Sequence, residues 1–209
     1  MRRISLITPL VLILMIGSAF GVTRESTQKG LVAKGFKLGM NLAKFTGSDV
    51  NIGPIGPSYR VGLGIGGFLR FGFNPNVGLQ LEALYSMKGS RYASGGESIT
   101  FRYDYFEIPV LLLINISSNS SMTPNILFGP AVNFKISSKL SGGGATINVT
   151  GVKSTDLAII FGFGITAQSG RGKLLFDVLY SMGLTKWIDD TPAEDLKNSV
   201  ISLNAGYAF

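Results

Sequence analysis

An all-β fold, with eight antiparallel strands closing into an up-and-down barrel, is predicted by three features of the sequence. Short segments alternate apolar residues with small or polar ones, which is the period of a strand and not of a helix. The chain is apolar, with a mean hydropathy of +0.34, and only 15% charged, against roughly 25% in an ordinary soluble domain. The connections between segments alternate short and long. The 209 residues suit one domain. Beyond the N-terminus no apolar run is long enough for a membrane helix. The apolar excess is spread over short segments, as in a transmembrane barrel.

Residues 1–21 read as a secretory signal peptide. Arg2 and Arg3 precede an apolar stretch ending at Ile16, and Ala19-Phe20-Gly21 is a small-x-small cleavage site. The competing reading is an uncleaved anchor helix. A short periplasmic segment, 22–33, leads into a barrel domain expected over 34–209. The first strand, Gly35 to Ala43, places Phe36, Leu38, Met40 and Leu42 on one face. The second, Tyr59 to Phe73, sets Val61, Leu63, Ile65, Leu69 and Phe71 against a face rich in Gly. The third is Val77 to Lys88. The fourth, Ile99 to Ile114, puts Arg102 and Asp104 on its apolar face, so either a bulge shifts the register or that end stands above the bilayer. Pro124 to Ile136, Thr155 to Gln168 and Lys173 to Thr185 follow. The last strand, Val200 to Phe209, has Ile201, Leu203, Ala205, Tyr207 and Phe209 on one side.

Three connections are short: Asn74 to Asn76, Asn115 to Ser121 and Ser169 to Arg171. Four are long: Thr46 to Ser58, Gly89 to Ser98, Ser137 to Ser154 and Lys186 to Asn198. Outer-membrane barrels sit with turns in the periplasm and loops outside. An even strand count then places both termini in the periplasm.

Charge separates a membrane barrel from a soluble one, because both alternate. The faces opposite the apolar ones hold about one charge per strand, too few for a surface in water and suited to a lumen. The candidate lumen charges are Lys37, Arg60, Arg70, Glu82, Lys88, Glu107, Lys135, Asp156 and Asp177. An eight-stranded barrel is just wide enough for side chains to fill. Unpaired buried charges cost several kcal/mol each, so these nine are expected to pair across strands and plug the barrel. The other reading is a polar path for small solutes. Phe71, Phe73, Tyr85, Tyr180, Trp187, Tyr207 and Phe209 are candidates for aromatic girdles at strand ends.

Four stretches carry a family resemblance: Leu79 to Gly89, Tyr105 to Pro109, Phe128 to Pro130 and Gly206 to Phe209. In order and spacing they resemble the porin-like outer-membrane β-barrel domain family, small eight-stranded barrels of diderm bacteria, over roughly Lys34 to Phe209. The ending resembles the C-terminal strand that the barrel insertion machinery reads, which would make Leu203, Tyr207 and Phe209 the insertion signal. The resemblance implies an outer-membrane location. Its expected partners are outer-membrane lipid and lipopolysaccharide, the insertion machinery and periplasmic chaperones. It carries no catalytic residues, and a monomer is expected.

Little else in the chain carries chemistry. Cysteine and histidine are absent, which removes thiol chemistry and the commonest general base and metal ligand. The net charge of +7 is scattered, with no basic stripe for nucleic acid. Gly62, Gly64, Gly66 and Gly67 lie inside a strand pattern with no helix after it, unlike a nucleotide fingerprint. Asp189, Asp190, Glu194 and Asp195 form an acidic loop without calcium-loop spacing. Glu82 and Glu107 are better matched to salt bridges with Arg70 or Lys88 than to acid–base catalysis. No cofactor, metal or enzymatic activity is expected. The expected role is structural or surface-interacting, through the long loops. The alternatives are a narrow, low-conductance porin and a secreted soluble lipocalin-like barrel holding an apolar ligand.

Overall fold

Period-two alternation builds strands, and in the computed structural model they close into a ring. Residues 29–48, 50–116, 121–151, 153–185 and 196–209 are described. The expected signal peptide (1–21), the acidic loop and Trp187 lie outside them. The strands are β1 (Gly30–Thr46), β2 (Arg60–Gly72), β3 (Val77–Ser94), β4 (Glu97–Asn115), β5 (Met122–Gly142), β6 (Ala145–Asn148), β7 (Thr155–Ser169), β8 (Gly172–Gly183) and β9 (Lys197–Ala208). All pairings are antiparallel. The short β6 pairs only with β5. The other eight form a closed cycle, with β4 bonded to β5 and β9 returning onto β1 from Gly35↔Ala208 to Thr46↔Lys197. The Phe209 N–H adds a last bond to the Lys34 carbonyl at 2.9 Å.

The apolar faces point outward. Phe36, Leu38, Val61, Leu63, Ile65, Phe128, Phe161, Phe176 and Val178 are exposed, and Phe163 is 66% exposed. Lys37, Glu82 and Asp177 are buried inside. A soluble barrel buries its apolar face, so the lipocalin-like alternative is overturned by this geometry. Exposed Leu, Ile, Val and Phe on seven of the eight strands, joined by the half-buried Leu79 and Leu81 of β3, form a belt built for lipid.

Several boundaries differ from the sequence reading. β1 starts at Gly30, so Gly30 to Ala33 belong to the sheet and not to an N-terminal segment ending at residue 33. The connection Gly89 to Ser98 is not a loop. β3 and β4 continue as a paired hairpin to Ser94↔Glu97. Its turn is Gly95-Gly96, both at positive φ (60° and 87°). Two consecutive positive-φ residues match the right-handed strand twist in a two-residue hairpin, and Tyr92, Ile99 and Phe101 favour the extended backbone on either side. Ser137 to Ser154 behaves similarly: β5 runs to Gly142, turns through Gly143-Gly144 and returns as β6. Polar composition made both stretches look like loops.

Arg102 and Asp104 keep the outward parity of β4, whose inward set Tyr103, Tyr105, Glu107, Pro109 and Leu111 is unbroken. The register shift between Asp104 and Tyr105 comes from an extra residue on β5, Ile136, because Asp104 pairs with Ser137 and Tyr105 with Lys135. Those two β4 charges therefore stand outside the wall, above the apolar belt.

Substituting Phe163 with Arg in the middle of the belt should destabilise the protein in lipid vesicles by about 2–4 kcal/mol, read from urea unfolding. A change below about 0.5 kcal/mol, usual for a residue facing water, would contradict the lipid-facing assignment.

Candidate functional site

Inward parity on neighbouring strands stacks the polar side chains into layers along the barrel axis. The layer nearer the chain termini centres on Lys37 of β1. Its ammonium lies 2.6 Å from Glu82 of β3 and 2.8 Å from Asp177 of β8, and all three side chains are about 1% exposed. Beside them Arg70 donates from Nε to Gln80 and, at 2.9 Å, from Nη1 to Thr166. The Gln80 amide in turn donates to Glu82. Two cations and two carboxylates thus share one hydrogen-bonded cluster. The partner expected for Glu82, Arg70 or Lys88, is instead Lys37, with Arg70 reaching Glu82 only through Gln80.

A second layer lies toward the opposite end. Lys88 pairs with Glu107 at 3.0 Å and donates to Asn133 at 2.9 Å. Asn133 donates to the Asp156 backbone carbonyl at 3.2 Å. Asn198 donates to Asp156 Oδ2 at 3.2 Å. Between the layers, Asn41 donates to Ser86 at 3.0 Å and accepts from Ser202 at 2.8 Å. Beside these groups an apolar cluster of Leu111, Leu127, Ala131, Ala158, Ile160 and Leu179 fills part of the interior. A void of about 30 Å³ remains beside these groups.

Two of the nine candidate lumen charges lie apart from these layers. The β2–β3 ladder lapses between Gly64↔Ser86 and the isolated bridge Ser58↔Arg91. There Arg60 donates to the Lys88 carbonyl, and Asn41 donates to that of Met87 at 3.3 Å. Arg60 is half-buried and stands in for a missing ladder donor. Lys135 is half-buried beside the Ile136 bulge. The uncharged Gln80, Asn133 and Thr166 share the inward faces read from the sequence but not its list of candidate charges, and Asn125 and Asn198 join them in the interior. Their inward parity beside charged positions was the available signal.

The two mouths differ. At the hairpin end Phe45, Tyr92, Tyr103 and Tyr105 form a buried cluster, with Val50, Ile55, Phe101 and Leu196 packed on it. Tyr92 donates to the Val50 carbonyl at 2.7 Å and ties the Thr46 to Ser58 connection across the opening. At the end that holds Asn74–Asn76 and Gly170-Arg171, the interior opens into a vestibule of about 380 Å³.

Leu203 and Phe209 face outward, Phe209 with the Lys34 ammonium 5.6 Å from its ring centre. Tyr207 lies beside Phe36, ring centres 6.2 Å apart. A Cβ at Gly172 would collide with the Tyr207 ring, so the turn end of β8 needs glycine there. Among the described residues, no group of three or more Asp or Glu is placed to hold a metal ion.

An outward apolar belt around a closed, polar-cored eight-stranded ring is the architecture of a membrane barrel. The model of the outer membrane protein β-barrel domain matches residues 24–189. The chain belongs to the outer-membrane β-barrel domain family. No curated protein matches it. Among solved structures it is similar to Ail, the attachment invasion locus protein of Yersinia pestis, with 16% identity, 87% of this chain and 100% of that one covered, and a TM-score of 0.45. It is similar to Neisserial surface protein A, with 10% identity, 84% and 97% coverage and a TM-score of 0.49. OprG from Pseudomonas aeruginosa is similar at 13% identity, with 88% and 99% coverage and a TM-score of 0.48. As a member of this family the chain is an outer-membrane protein, and the belt is the surface it turns to membrane lipid.

Replacing Lys37 with Met should destabilise this outer-membrane barrel by about 3–5 kcal/mol, because it leaves two buried carboxylates with Arg70 alone to balance them. The double variant K37M/E82Q, which leaves Arg70 balanced by Asp177, should recover most of that loss in urea unfolding. A K37M barrel as stable as wild type would show that the ion triad does not hold the interior together.

Proposed function

We propose that this barrel does not conduct, and that it acts at the cell surface through the end carrying its long hairpins. The observation that carries this reading is the Lys37–Glu82–Asp177 triad, fully buried across the bore. The Lys88–Glu107 layer and the aromatic cluster under the Thr46–Ser58 connection support it. A void of about 30 Å³ has room for a water molecule or two and not for a hydrated solute path. The nine lumen charges identified in the sequence then serve to plug and brace the barrel, with Arg60 and Lys135 at its wall. The absence of histidine and the closed bore both favour a non-enzymatic role.

In this reading both termini and the short turns face the periplasm. The signal peptide (1–21) directs export, and the barrel inserts as a monomer, with Leu203, Tyr207 and Phe209 presented to chaperones and insertion machinery. The stretches Thr46–Ser58, Gly89–Ser98, Ser137–Ser154 and Lys186–Asn198 reach the exterior. Lipopolysaccharide is the partner at the outer leaflet. Arg102 and Lys139 are exposed and directly paired across β4 and β5, with Arg91 exposed on β3 close by. Like charges directly opposite each other destabilise a sheet. A bridging phosphate of the outer-leaflet lipid would remove that repulsion.

Purified protein in planar bilayers should stay silent across salt concentrations and voltages. Reproducible unitary steps would make the narrow porin the correct reading. In vesicles containing lipid A, wild type should gain stability over phosphatidylcholine vesicles, and R102Q/K139Q should lose more than half of that gain. An equal gain in both proteins would remove this cationic pair from lipopolysaccharide binding.

A further inference from the structure

The vestibule at the turn end is a blind cup. Its inner wall is the Arg70 layer, beyond which the Lys37 triad and the apolar layer close the bore. A cup that leads nowhere is a poor channel mouth and has the shape of a binding site. At about 380 Å³ it falls in the range of small-molecule sites.

Its lining is one-sided in charge. Arg70 and Lys173 both line it, and no carboxylate does among the described residues. Lys37 and Arg70 already balance Glu82 and Asp177 in the buried cluster, so Lys173 is positive charge in excess. Lys173 shares the inward parity of Leu175 and Asp177 on β8, at the rim, with no ion pair among the described residues. Arg70 is 5% exposed. It is braced by Gln80 and Thr166, while its Nη2 has no hydrogen-bond partner. A guanidinium locked in place before a ligand arrives loses little side-chain freedom on binding and suits a carboxylate or phosphate. Thr123, Thr166 and Gln168 add uncharged polar groups around it.

We infer that this vestibule is a binding site for a small oxyanion, a carboxylate or phosphate group, gripped between Arg70 at its floor and Lys173 at its rim. In the orientation proposed above the site faces the periplasm. The assignment itself rests only on the cup and its charges, and it stands or falls independently of conductance. The anion can come free in solution or as the headgroup of a lipid.

The test is a titration of inorganic phosphate, and separately of acetate, into the isotopically labelled full-length barrel in a non-ionic maltoside, which carries no phosphate. Amide resonances of Thr123, Thr166, Gln168 and Gly172 should shift saturably. Lys173→Gln lies at the rim, outside the buried cluster, and should weaken the apparent Kd by about fivefold, the scale of one exposed ion pair. Lys44→Gln, toward the opposite end of β1, should leave it unchanged. Repeating the titration in phosphatidylcholine nanodiscs separates the sources. An unchanged Kd means a free anion fills the cup, and a Kd raised by competition means the headgroup does. Shifts that never saturate, that chloride reproduces, or that persist undiminished in Lys173→Gln would overturn the site.

Discussion

Hydrocarbon offers no hydrogen-bond partner, so a chain crossing it as strands must pair every backbone N–H and C=O within the sheet. An open edge would leave a row of such groups unsatisfied, each costing several kcal/mol. The β1–β9 ladder, from Gly35↔Ala208 to Thr46↔Lys197, removes the two edges together. The rest of the structure depends on it, because without closure there is neither an inside for Lys37 nor an outside for Phe163. Where the ladder lapses, between β2 and β3, Arg60 and Asn41 donate to the carbonyls of Lys88 and Met87.

Closure at eight strands leaves a bore that side chains can fill, and its content is uneven. The Lys37–Glu82–Asp177 cluster spans from β1 and β3 to β8, while Leu111, Leu127, Ile160 and Leu179 fill the space between β4, β5, β7 and β8. A buried ion pair seldom adds much net stability over apolar packing, yet breaking one leaves an uncompensated charge. The triad is therefore better understood as a constraint that allows one arrangement of the interior. Chaining through Gln80 extends that constraint to Arg70, and Asn133 extends the Lys88 layer to Asp156.

The two ends of the barrel are chemically unlike. The hairpin end holds a buried cluster of aromatic rings, and two hairpins with Gly-Gly turns rise from it. Cationic side chains stand on its outer wall where the apolar belt stops. The turn end is open and shallow, with a braced arginine at its base. Strand length also differs around the ring: β3, β4 and β5 are 18, 19 and 21 residues long. These strands continue past the belt on one side only, while β8 and β9 stop at 12 residues each.

Alternation made the strands and their outward faces legible without coordinates, because a period of two is a local property of the backbone. The same alternation assigns charges to the face opposite the belt, where Lys37, Arg70, Glu82, Lys88, Glu107, Asp156 and Asp177 are buried. Strand ends were less legible: the Gly95-Gly96 and Gly143-Gly144 turns sit in polar surroundings that read as loops, although the glycine pairs were the hairpin signal. Which charges meet could not be read from order along the chain. Lys37 lies 45 residues from Glu82 and further still from Asp177, and only the closure and register of the barrel bring the three together. Local alternation is enough to specify an eight-stranded sheet with a lipid-compatible face and a polar one. The pairings, the aromatic cluster at one mouth and the cup at the other come only from the closed fold, because they depend on strand stagger, a long-range property that no local pattern encodes.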